Sequence, residues 1–435
     1  MTKSIKIFAV TGKPVLHSRS PAMFNKVFSK NGIDAVYLRL AANDPGEAIR
    51  LFKELGISGM NVTSPFKESI VNYLDKIHGA AGILGCVNTI IEREGKLHGY
   101  NTDTFGVTQS FKDHGVKLKG KRCLVIGAGG AGKAAAYSML KSGAEVIMVN
   151  RTDSKAKKAA KVIGCKYRDF STLKELVKKS DIIISALVQN INPVKKRWLN
   201  SSQVIFDANY GNSELNSIAV DKGCNIINAE KWLVNQAIRS YEIFLNEKPD
   251  KESMKEGLSD CKIAEKKNRI SFIGLSGSGK TDTGKALAEK LKYDFIDIDE
   301  LISIRNGKTI ADIFETCGEE HFRELEKSEL EERIKSKASQ IISCGGGIVL
   351  NESVRMTLTK NSIVIWLYAS PEIIHKRIDI NSRPLLQVED PLTKLRKLFI
   401  SRTGHYAGTA HIIFSNEENT INQILKNIIK ELNSI

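Results

Sequence analysis

Short apolar runs bounded by glycine and separated by helix-forming stretches recur along the chain. The first is Ile5 to Val10, followed by Cys123 to Ile126, Val146 to Val149, Ile182 to Ser185 and Val204 to Phe206. Beyond these come Ile270 to Ile273, Ile341 to Ser343 and Ile363 to Leu367. Runs of this length without polar alternation predict strands buried on both faces of parallel sheets, joined by crossover helices. Between about Asn246 and Asn268 the composition shifts to Lys, Glu, Asp and Ser, with Pro249, Gly257 and few large apolar residues. This predicts a linker over 246–268, with a solvated terminal helix over part of it as the alternative, between two α/β bodies that share a style but no tandem repeat.

Length and composition sharpen that outline. A chain of 435 residues has room for about three compact bodies at the usual domain size. An apolar fraction of 42%, a charged fraction of 26% and only 9 prolines describe a folded, water-soluble protein. The net charge of +16 is spread along the whole chain, with no basic stretch interleaved with aromatics, so anionic small ligands are expected and nucleic acid is not. Lysines such as those from Lys155 to Lys161 read chiefly as a solvated helix face. The 7 cysteines form no C-x-x-C pair, which argues against a zinc site or a disulfide framework and fits a reducing cytosol. Ile5 to Val10 is too short for a signal peptide and no apolar stretch reaches membrane-spanning length, so a cytoplasmic location is expected.

Two glycine loops carry the first chemical signal. Gly127-Ala128-Gly129-Gly130-Ala131-Gly132 follows the Cys123 to Ile126 run and precedes an alanine-rich helical stretch, Lys133 to Leu140. In that context Gly127 permits the tight turn, Gly129 lets backbone approach a pyrophosphate, and Gly132 allows close helix packing. The next strand ends in Asn150-Arg151-Thr152, where an NAD enzyme carries an acidic group for the ribose 2′-hydroxyl. Arg151, with Lys155 one helical turn on, can pair with a 2′-phosphate instead, so NADP is favoured over NAD; the bland alternative is a solvated arginine at a strand end.

Three polar clusters lie upstream: Ser18-Arg19-Ser20-Pro21, which begins a helix; Asn61-Val62-Thr63-Ser64-Pro65-Phe66-Lys67; and Asn101-Thr102-Asp103. Singly, each has an ordinary explanation as a helix cap, a turn or a solvated lysine. Together with Val87-Asn88-Thr89, the glycine loop and Asn150-Arg151-Thr152, the region from about Ile5 to Leu245 resembles shikimate dehydrogenase, whose six motifs occur here in family order. The resemblance implies NADPH-dependent reduction of 3-dehydroshikimate to shikimate, with Lys67 and Asp103 as the catalytic pair. It also implies that Ser18, Ser20, Thr63, Asn88, Tyr210 and Gln236 hold the carboxylate and hydroxyls of the substrate. Cofactor contacts would come from Gly127, Gly129, Gly130, Ala131, Gly132, Asn150, Arg151, Thr152 and Lys155. Three segments depart from the family pattern: Ala186-Leu187-Val188-Gln189-Asn190, Asp207-Ala208-Asn209-Tyr210 and Ala229-Glu230-Lys231-Trp232-Leu233-Val234. All three bear on the nicotinamide side.

The second loop, Gly274-Leu275-Ser276-Gly277-Ser278-Gly279-Lys280-Thr281, follows the Ile270 to Ile273 run and opens a helix, a full G-x-x-x-x-G-K-[ST] in its required context. Its N–H groups suit phosphates, Lys280 suits the β and γ positions, and Thr281 suits magnesium. Phe295-Ile296-Asp297-Ile298-Asp299 reads as a strand with both carboxylates on one face, beside the phosphate loop. Gly345-Gly346-Gly347 lets backbone come close to a ligand. With Phe322-Arg323, Arg383-Pro384-Leu385-Leu386 and Arg402, this region from about Arg269 onward resembles shikimate kinase. The resemblance implies that Asp297 serves magnesium and Asp299 orients the acceptor hydroxyl, while Arg323 and Arg402 with Gly346 and Gly347 hold the shikimate carboxylate. Gly277, Ser278, Gly279, Lys280, Thr281 and a lid arginine, Arg383 on roughly Asp379 to Asp390, would hold ATP. After Arg402 the family's x-Pro-Leu-Tyr is replaced by Thr403-Gly404-His405-Tyr406, which predicts a looser backbone there.

The expected fold is α/β: a substrate domain (about 1–102 plus 235–245) and a Rossmann NADP-binding domain (about 103–234), then the linker, then a P-loop kinase domain with a parallel sheet over 269–435. The expected function is bifunctional, with NADP(H), ATP and Mg2+, in a monomer or homodimer without membrane or nucleic-acid partners. Quinate oxidation, a different small-molecule kinase, or one half acting as a non-catalytic ligand-binding module are the alternatives.

Overall fold

The computed structural model describes residues 5–187, 191–209, 213–260, 263–379, 386–417 and 419–435. The chain divides into two compact units, one built from Met1–Ser58 with Gly257–Ile435 and the other from Gly59–Glu256. The first unit therefore joins the beginning of the sequence to its last part.

Seven strands of the first unit run parallel. Their spatial order is Asp294–Asp297, Gln340–Ser343, Arg269–Ile273, Ile363–Tyr368, Ile412–Ser415, Ala35–Ala41 and Lys6–Gly12. The five strands after residue 268 are the expected kinase sheet, with the P-loop strand Arg269–Ile273 at its centre. Their outermost member, Ile412–Ser415, pairs with Ala35–Ala41 in the register Ile412↔Arg39, Ile413↔Leu40 and Phe414↔Ala41. Such pairing satisfies backbone N–H and C=O groups that would otherwise line two sheet edges. Strand Ile363–Tyr368 is buried at all its positions, which is why its sequence shows no polar alternation.

In the second unit, six parallel strands lie in the order Asn225–Ile227, Val204–Asp207, Ile182–Ser185, Arg122–Ile126, Glu145–Val149 and Lys166–Tyr167. In chain order this is 6-5-4-1-2-3, the dinucleotide-binding arrangement with its switch point between Arg122–Ile126 and Ile182–Ser185. Alternate residues feed two cores: Cys123, Val125, Ile182, Ile184 and Phe206 on one face, Leu124, Ile126, Ile183 and Ile205 on the other. A smaller group in this unit pairs Ile57–Val62 with Thr89–Arg93, and Thr89–Arg93 with Lys96–Tyr100, both antiparallel.

Two expectations change. The segment read as a linker contains an α-helix, Lys251–Ser259, and a short 3-10 turn, Ile263–Lys266. Met254, Leu258 and Ile263 are buried, so a few apolar residues at helical spacing suffice to order a polar stretch. The strand over Phe295 to Asp299 stops at Asp297, and a helix runs over Ile298–Asn306. Asp297 is its N-cap, accepting from the backbone N–H of Asp299 at 3.1 Å and of Glu300 at 3.3 Å. The two carboxylates therefore do not share a strand face.

Candidate active sites

In the second unit the glycine loop sits at the switch point. Gly127 has φ +117°, a left-handed value, and a side chain there would also press on the Ala186 carbonyl at 2.7 Å. A Cβ on Gly132 would lie 2.8 Å from the Gly127 carbonyl carbon and closer still to its oxygen, so helix Gly130–Lys141 packs directly on the loop. A Cβ on Gly129 would meet nothing within 4 Å, because this residue faces an open cleft of about 880 Å³. The cleft is also lined by Asn150, Arg151, Thr152 and Lys155, as expected, and by Lys158 and Lys133, which the sequence reading did not single out. Lys158 lies one turn beyond Lys155 on helix Asp153–Ile163, a spacing that was readable. Lys133 pairs with Glu68 at 3.0 Å. The donor set fits a dinucleotide carrying an additional phosphate: loop N–H groups, a helix N-terminus and a cluster of cations, the carboxylate of the lining, Glu68, being paired with Lys133.

Lys67 and Asp103 meet. The Lys67 Nζ lies 2.6 Å from Asp103 Oδ2, and the carboxylate side chain is almost wholly buried. Asp103 is the first residue of helix Asp103–Asp113, where the dipole favours its charge. Behind the pair, Asn88 accepts from the Thr102 N–H at 2.7 Å and donates to Thr102 Oγ1 at 3.0 Å and Gln236 Oε1 at 3.1 Å. Ser240, one turn beyond Gln236 on helix Ala229–Leu245, joins Asn61 at 2.9 Å, Thr89 at 3.0 Å and Thr102 at 3.1 Å. This hydrogen-bonded cluster fixes the turn that presents Asp103. Ser240 is a functional neighbour that sequence reasoning missed, and Asn61, named there only within its motif, was given no role. Cys86 lies beside Gly130 and the Lys67 stem, and burial pushes its thiol up to about 11, so it is a packing residue.

The departing segments have structural consequences. Trp232 packs against Phe206 with ring centroids 5.4 Å apart and planes tilted by 44°, and a Cβ on Gly106 would run into the indole at 2.7 Å, so the bulky residue is accommodated by a glycine on the neighbouring helix. Asn209 donates to the Leu187 carbonyl at 3.1 Å, tying the two altered segments together. Tyr210 and residues 188–190 lie outside the described residues. Thr63 is half-buried in the turn before Lys67, its carbonyl accepting from the Phe66 N–H at 3.0 Å.

In the first unit, Ser18 and Ser20 are buried at the start of helix Ser20–Lys30, their Oγ atoms 3.4 Å apart. The P-loop of this unit curves around Lys280, whose Nζ lies 3.0 Å from the carbonyls of Gly274 and Leu275. Thr281 Oγ1 lies 2.7 Å from Asp297 Oδ2. A cavity of about 710 Å³ is lined by Gly277, Gly279, Lys280, Thr281, Asp297, Asp299, Arg377 and Asn416, the last donating to the Ser278 carbonyl at 2.7 Å. A second cavity of about 100 Å³ is lined by Arg323, Glu326, Gly345, Gly346, Gly347 and Arg402. The two share Ser276, Asp299 and Gly346, so Asp299 stands where one ligand would meet the other. A hydroxyl and a single carboxylate fit magnesium, which takes few protein ligands when phosphates complete its shell. Among the described residues no group of three His, Cys, Asp or Glu side chains could hold a metal by itself.

Arg323 is held by Glu326 at 2.5 Å and Glu319 at 2.7 Å, and a Cβ on Gly347 would collide with its guanidinium. Glu326 is buried, and burial together with nearby Asp299 raises its carboxyl to about 7 against the pull of Arg323. It lies three residues beyond Arg323 on helix Ile310–Ile334, another neighbour the spacing could have named. Arg402 donates to the Gly346 carbonyl at 3.1 Å. The looser backbone expected after it does not occur: helix Pro391–Thr409 continues through Thr403 to Tyr406, and buried Tyr406 also donates to the Gly346 carbonyl. Gly404 is tolerated because burial of the surrounding helix face outweighs its modest helix penalty. Residues 380–385 of the expected lid, Arg383, Pro384 and Leu385 among them, lie outside the described residues.

Family models match the chain in three places: shikimate dehydrogenase substrate binding domain over residues 10–90, shikimate / quinate 5-dehydrogenase over 109–208, and shikimate kinase over 276–433. The shikimate dehydrogenase (NADP(+)) of Pyrococcus abyssi is 37% identical over 257 residues, 58% of this chain and 96% of that protein. Among solved structures, shikimate dehydrogenase from Aquifex aeolicus is 31% identical, covers 60% of this chain and 100% of its own, and has a TM-score of 0.57. The Thermus thermophilus enzyme in complex with NADP(H) and shikimate is 28% identical, with a TM-score of 0.54 over 58% of this chain and 98% of its own.

Proposed function

We propose, from the premise that this chain belongs to the shikimate dehydrogenase family and carries a shikimate kinase domain as well, a residue-level account of two reactions. The protein is an NADP-dependent oxidoreductase and an ATP-dependent phosphotransferase of the shikimate pathway. Its two reactions run in series: 3-dehydroshikimate is reduced to shikimate, and shikimate is phosphorylated to shikimate 3-phosphate. When bound, NADPH supplies a hydride, and ATP with Mg2+ supplies a phosphoryl group.

Reduction of the ring ketone places negative charge on its oxygen. The Lys67 ammonium stabilises that oxygen and gives it a proton, while Asp103 orients Lys67 and accepts from a substrate hydroxyl. The single observation carrying this reading is the 2.6 Å Lys67–Asp103 pair, two residues far apart in sequence whose ordinary roles would not require them to meet. Ser18, Ser20, Thr63, Asn88, Tyr210 and Gln236 bind the carboxylate and hydroxyls, a set suited to a polyol acid. Gly127, Gly129, Gly130, Ala131 and Gly132 hold the pyrophosphate, and Asn150, Arg151, Thr152 and Lys155 the 2′-phosphate end.

In phosphoryl transfer, Asp299 orients the acceptor hydroxyl and takes its proton. Thr281 and Asp297 hold magnesium, and Gly277, Ser278, Gly279 and Lys280 hold the phosphates. Arg323 and Arg402, with Gly346 and Gly347, hold the ring carboxylate, and their planar forks match it bidentately. Arg383, whose part is implied by the family resemblance alone, would pair with the phosphates. The domain boundaries that follow the chemistry are 1–245 and 269–435, the ordered helix of 246–268 joining them. The location is read as cytoplasmic and the assembly as a monomer or homodimer without nucleic acid; among the described residues no helix is long and apolar enough to cross a membrane.

The test is selective inactivation in the full-length chain. Lys67→Ala abolishes NADPH oxidation and leaves shikimate phosphorylation intact; Lys280→Ala does the reverse. Normal dehydrogenase turnover in Lys67→Ala would refute the mechanism.

A further inference from the structure

The loop that carries Ser18 is fixed by Glu431 of the kinase part and by Arg39, which is itself bound to the kinase part, all within the first unit. Glu431, buried near the end of helix Ile421–Leu432, accepts from the backbone N–H groups of Val15 and Leu16, each at 2.7 Å on the same oxygen. The Val15 carbonyl in turn accepts from the Ser18 N–H at 2.9 Å. On the other side of Ser18, buried Arg39 donates to its carbonyl from Nε at 3.1 Å and Nη2 at 2.6 Å. The third arm of that guanidinium, Nη1, donates to the His411 carbonyl at 3.3 Å, just before the kinase strand Ile412–Ser415. Both backbone groups of Ser18 are thus set through residues bound to the kinase part. Ser18 Oγ then accepts from the Ser20 N–H at 3.4 Å.

The placement of Glu431 is costly by two ordinary measures. A carboxylate near a helix C-terminus opposes the dipole, and burial of its charge is unfavourable without hydrogen bonds. Burial raises its carboxyl, and the Val15 and Leu16 N–H groups are the main forces opposing that rise. A packed apolar residue would serve the helix better, so the acid is explained by the loop it holds.

We propose that Glu431, together with Arg39 anchored on the His411 carbonyl, positions Ser18 and Ser20 for the substrate carboxylate, so that the kinase part sets the substrate affinity of the dehydrogenase. This rests on the reading of Ser18 and Ser20 as substrate contacts. It makes the substrate affinity of the dehydrogenase depend on the kinase part through the support of one loop.

The test uses the full-length chain and four variants: Ser18→Ala, Glu431→Ala, Glu431→Gln and Arg39→Lys. KM and kcat are measured for 3-dehydroshikimate and, separately, for shikimate phosphorylation. Ser18→Ala is expected to raise the 3-dehydroshikimate KM about tenfold through one lost hydrogen bond. Glu431→Ala raises that KM roughly threefold to tenfold with kcat little changed, and Glu431→Gln, whose amide oxygen can still accept both N–H groups, recovers most of the loss. Arg39→Lys, which cannot engage the Ser18 and His411 carbonyls together, raises the same KM and carries the test if Glu431→Ala does not fold. Kinase constants stay within twofold in all four. A raised KM in Ser18→Ala with parental KM in Glu431→Ala and Arg39→Lys would overturn the positioning role and leave the substrate reading standing. A parental KM in Ser18→Ala would overturn both. Equal loss of both activities without a KM change would mark Glu431 as merely structural and overturn the proposal.

Discussion

Gly132→Ala tests how the cofactor loop is built. The new Cβ would sit 2.8 Å from the Gly127 carbonyl carbon, whereas carbon atoms in comfortable contact lie about 3.5 Å apart. Loop and helix must therefore separate by at least ~0.7 Å, and the atoms in the way are backbone, which cannot swing aside as a side chain would. A donor at about 2.9 Å from a phosphate oxygen then stands near 3.6 Å, beyond useful hydrogen bonding. If two charge-assisted bonds are lost at the lower end of their usual worth, the cost is about 3 kcal/mol, or roughly 100-fold in NADPH affinity. The assay is calorimetric titration of NADPH into the full-length variant, with shikimate phosphorylation as an internal check on the first unit. Gly129→Ala is the companion, since its Cβ meets nothing within 4 Å: it should weaken NADPH binding by filling the cleft while leaving the melting temperature near parental. Gly132→Ala should lower both. NADPH affinity within twofold of parental in a folded Gly132→Ala would refute the close packing on which the loop's geometry depends.

Replacing Arg151 and Lys155 together by alanine should cost about tenfold or more in the preference for NADPH over NADH, read as the ratio of kcat/KM values, with NADH turnover little changed. An unchanged ratio would move the 2′-phosphate contact elsewhere on the cleft, with Lys158 the next residue to test. Glu326 makes a pH prediction with a definite sign. Its carboxyl is raised to about 7 in the folded chain, so the native state holds a proton that the unfolded state releases near the ordinary carboxylate range. This contribution to stability is fully present below that range and is lost as pH rises toward and through about 7. Relative to Glu326→Gln, the parental chain should therefore lose stability between pH 5 and pH 8 in chemical denaturation; a parallel pH dependence of the two proteins would contradict the assignment.

The glycine loops and their flanking strands were legible because each motif is local: a turn, a close approach and a helix start fall within a dozen residues. Lys67 and Asp103 were legible only through the family resemblance, since nothing in either neighbourhood says that the two side chains meet. Misreading Asp299 as a strand residue has a simple cause. The apolar-acidic alternation of Phe295 to Asp299 satisfies a strand period, but the side chain of Asp297 caps a helix and wins the competition for the backbone. Helix Lys251–Ser259 was foreseen only as a solvated alternative to a linker, because a largely charged surface hides its buried positions, Met254 and Leu258 among them. Least legible was the pairing of Ala35–Ala41 with Ile412–Ser415. Parallel strands from opposite ends of the sequence join through backbone groups that every residue carries, and the side chains that fasten this end of the unit, Arg39 on the His411 carbonyl and Glu431 on the Val15 and Leu16 N–H groups, look singly like surface residues. That pairing also means that cutting the chain within 246–268 exposes two strand edges that the intact first unit covers.

The central claim is that one chain makes shikimate and then phosphorylates it. The most direct measurement supplies the purified full-length protein with 3-dehydroshikimate, NADPH, ATP and Mg2+, and follows NADPH oxidation and ADP formation together. The account predicts that both proceed, that ADP forms only once shikimate has been made, and that chelation of magnesium stops ADP formation while NADPH oxidation continues. In parallel, with NADP+ as oxidant, shikimate should be oxidised far better than quinate. ADP formation without NADPH oxidation, NADPH oxidation without subsequent phosphorylation, or a clear preference for quinate would contradict it.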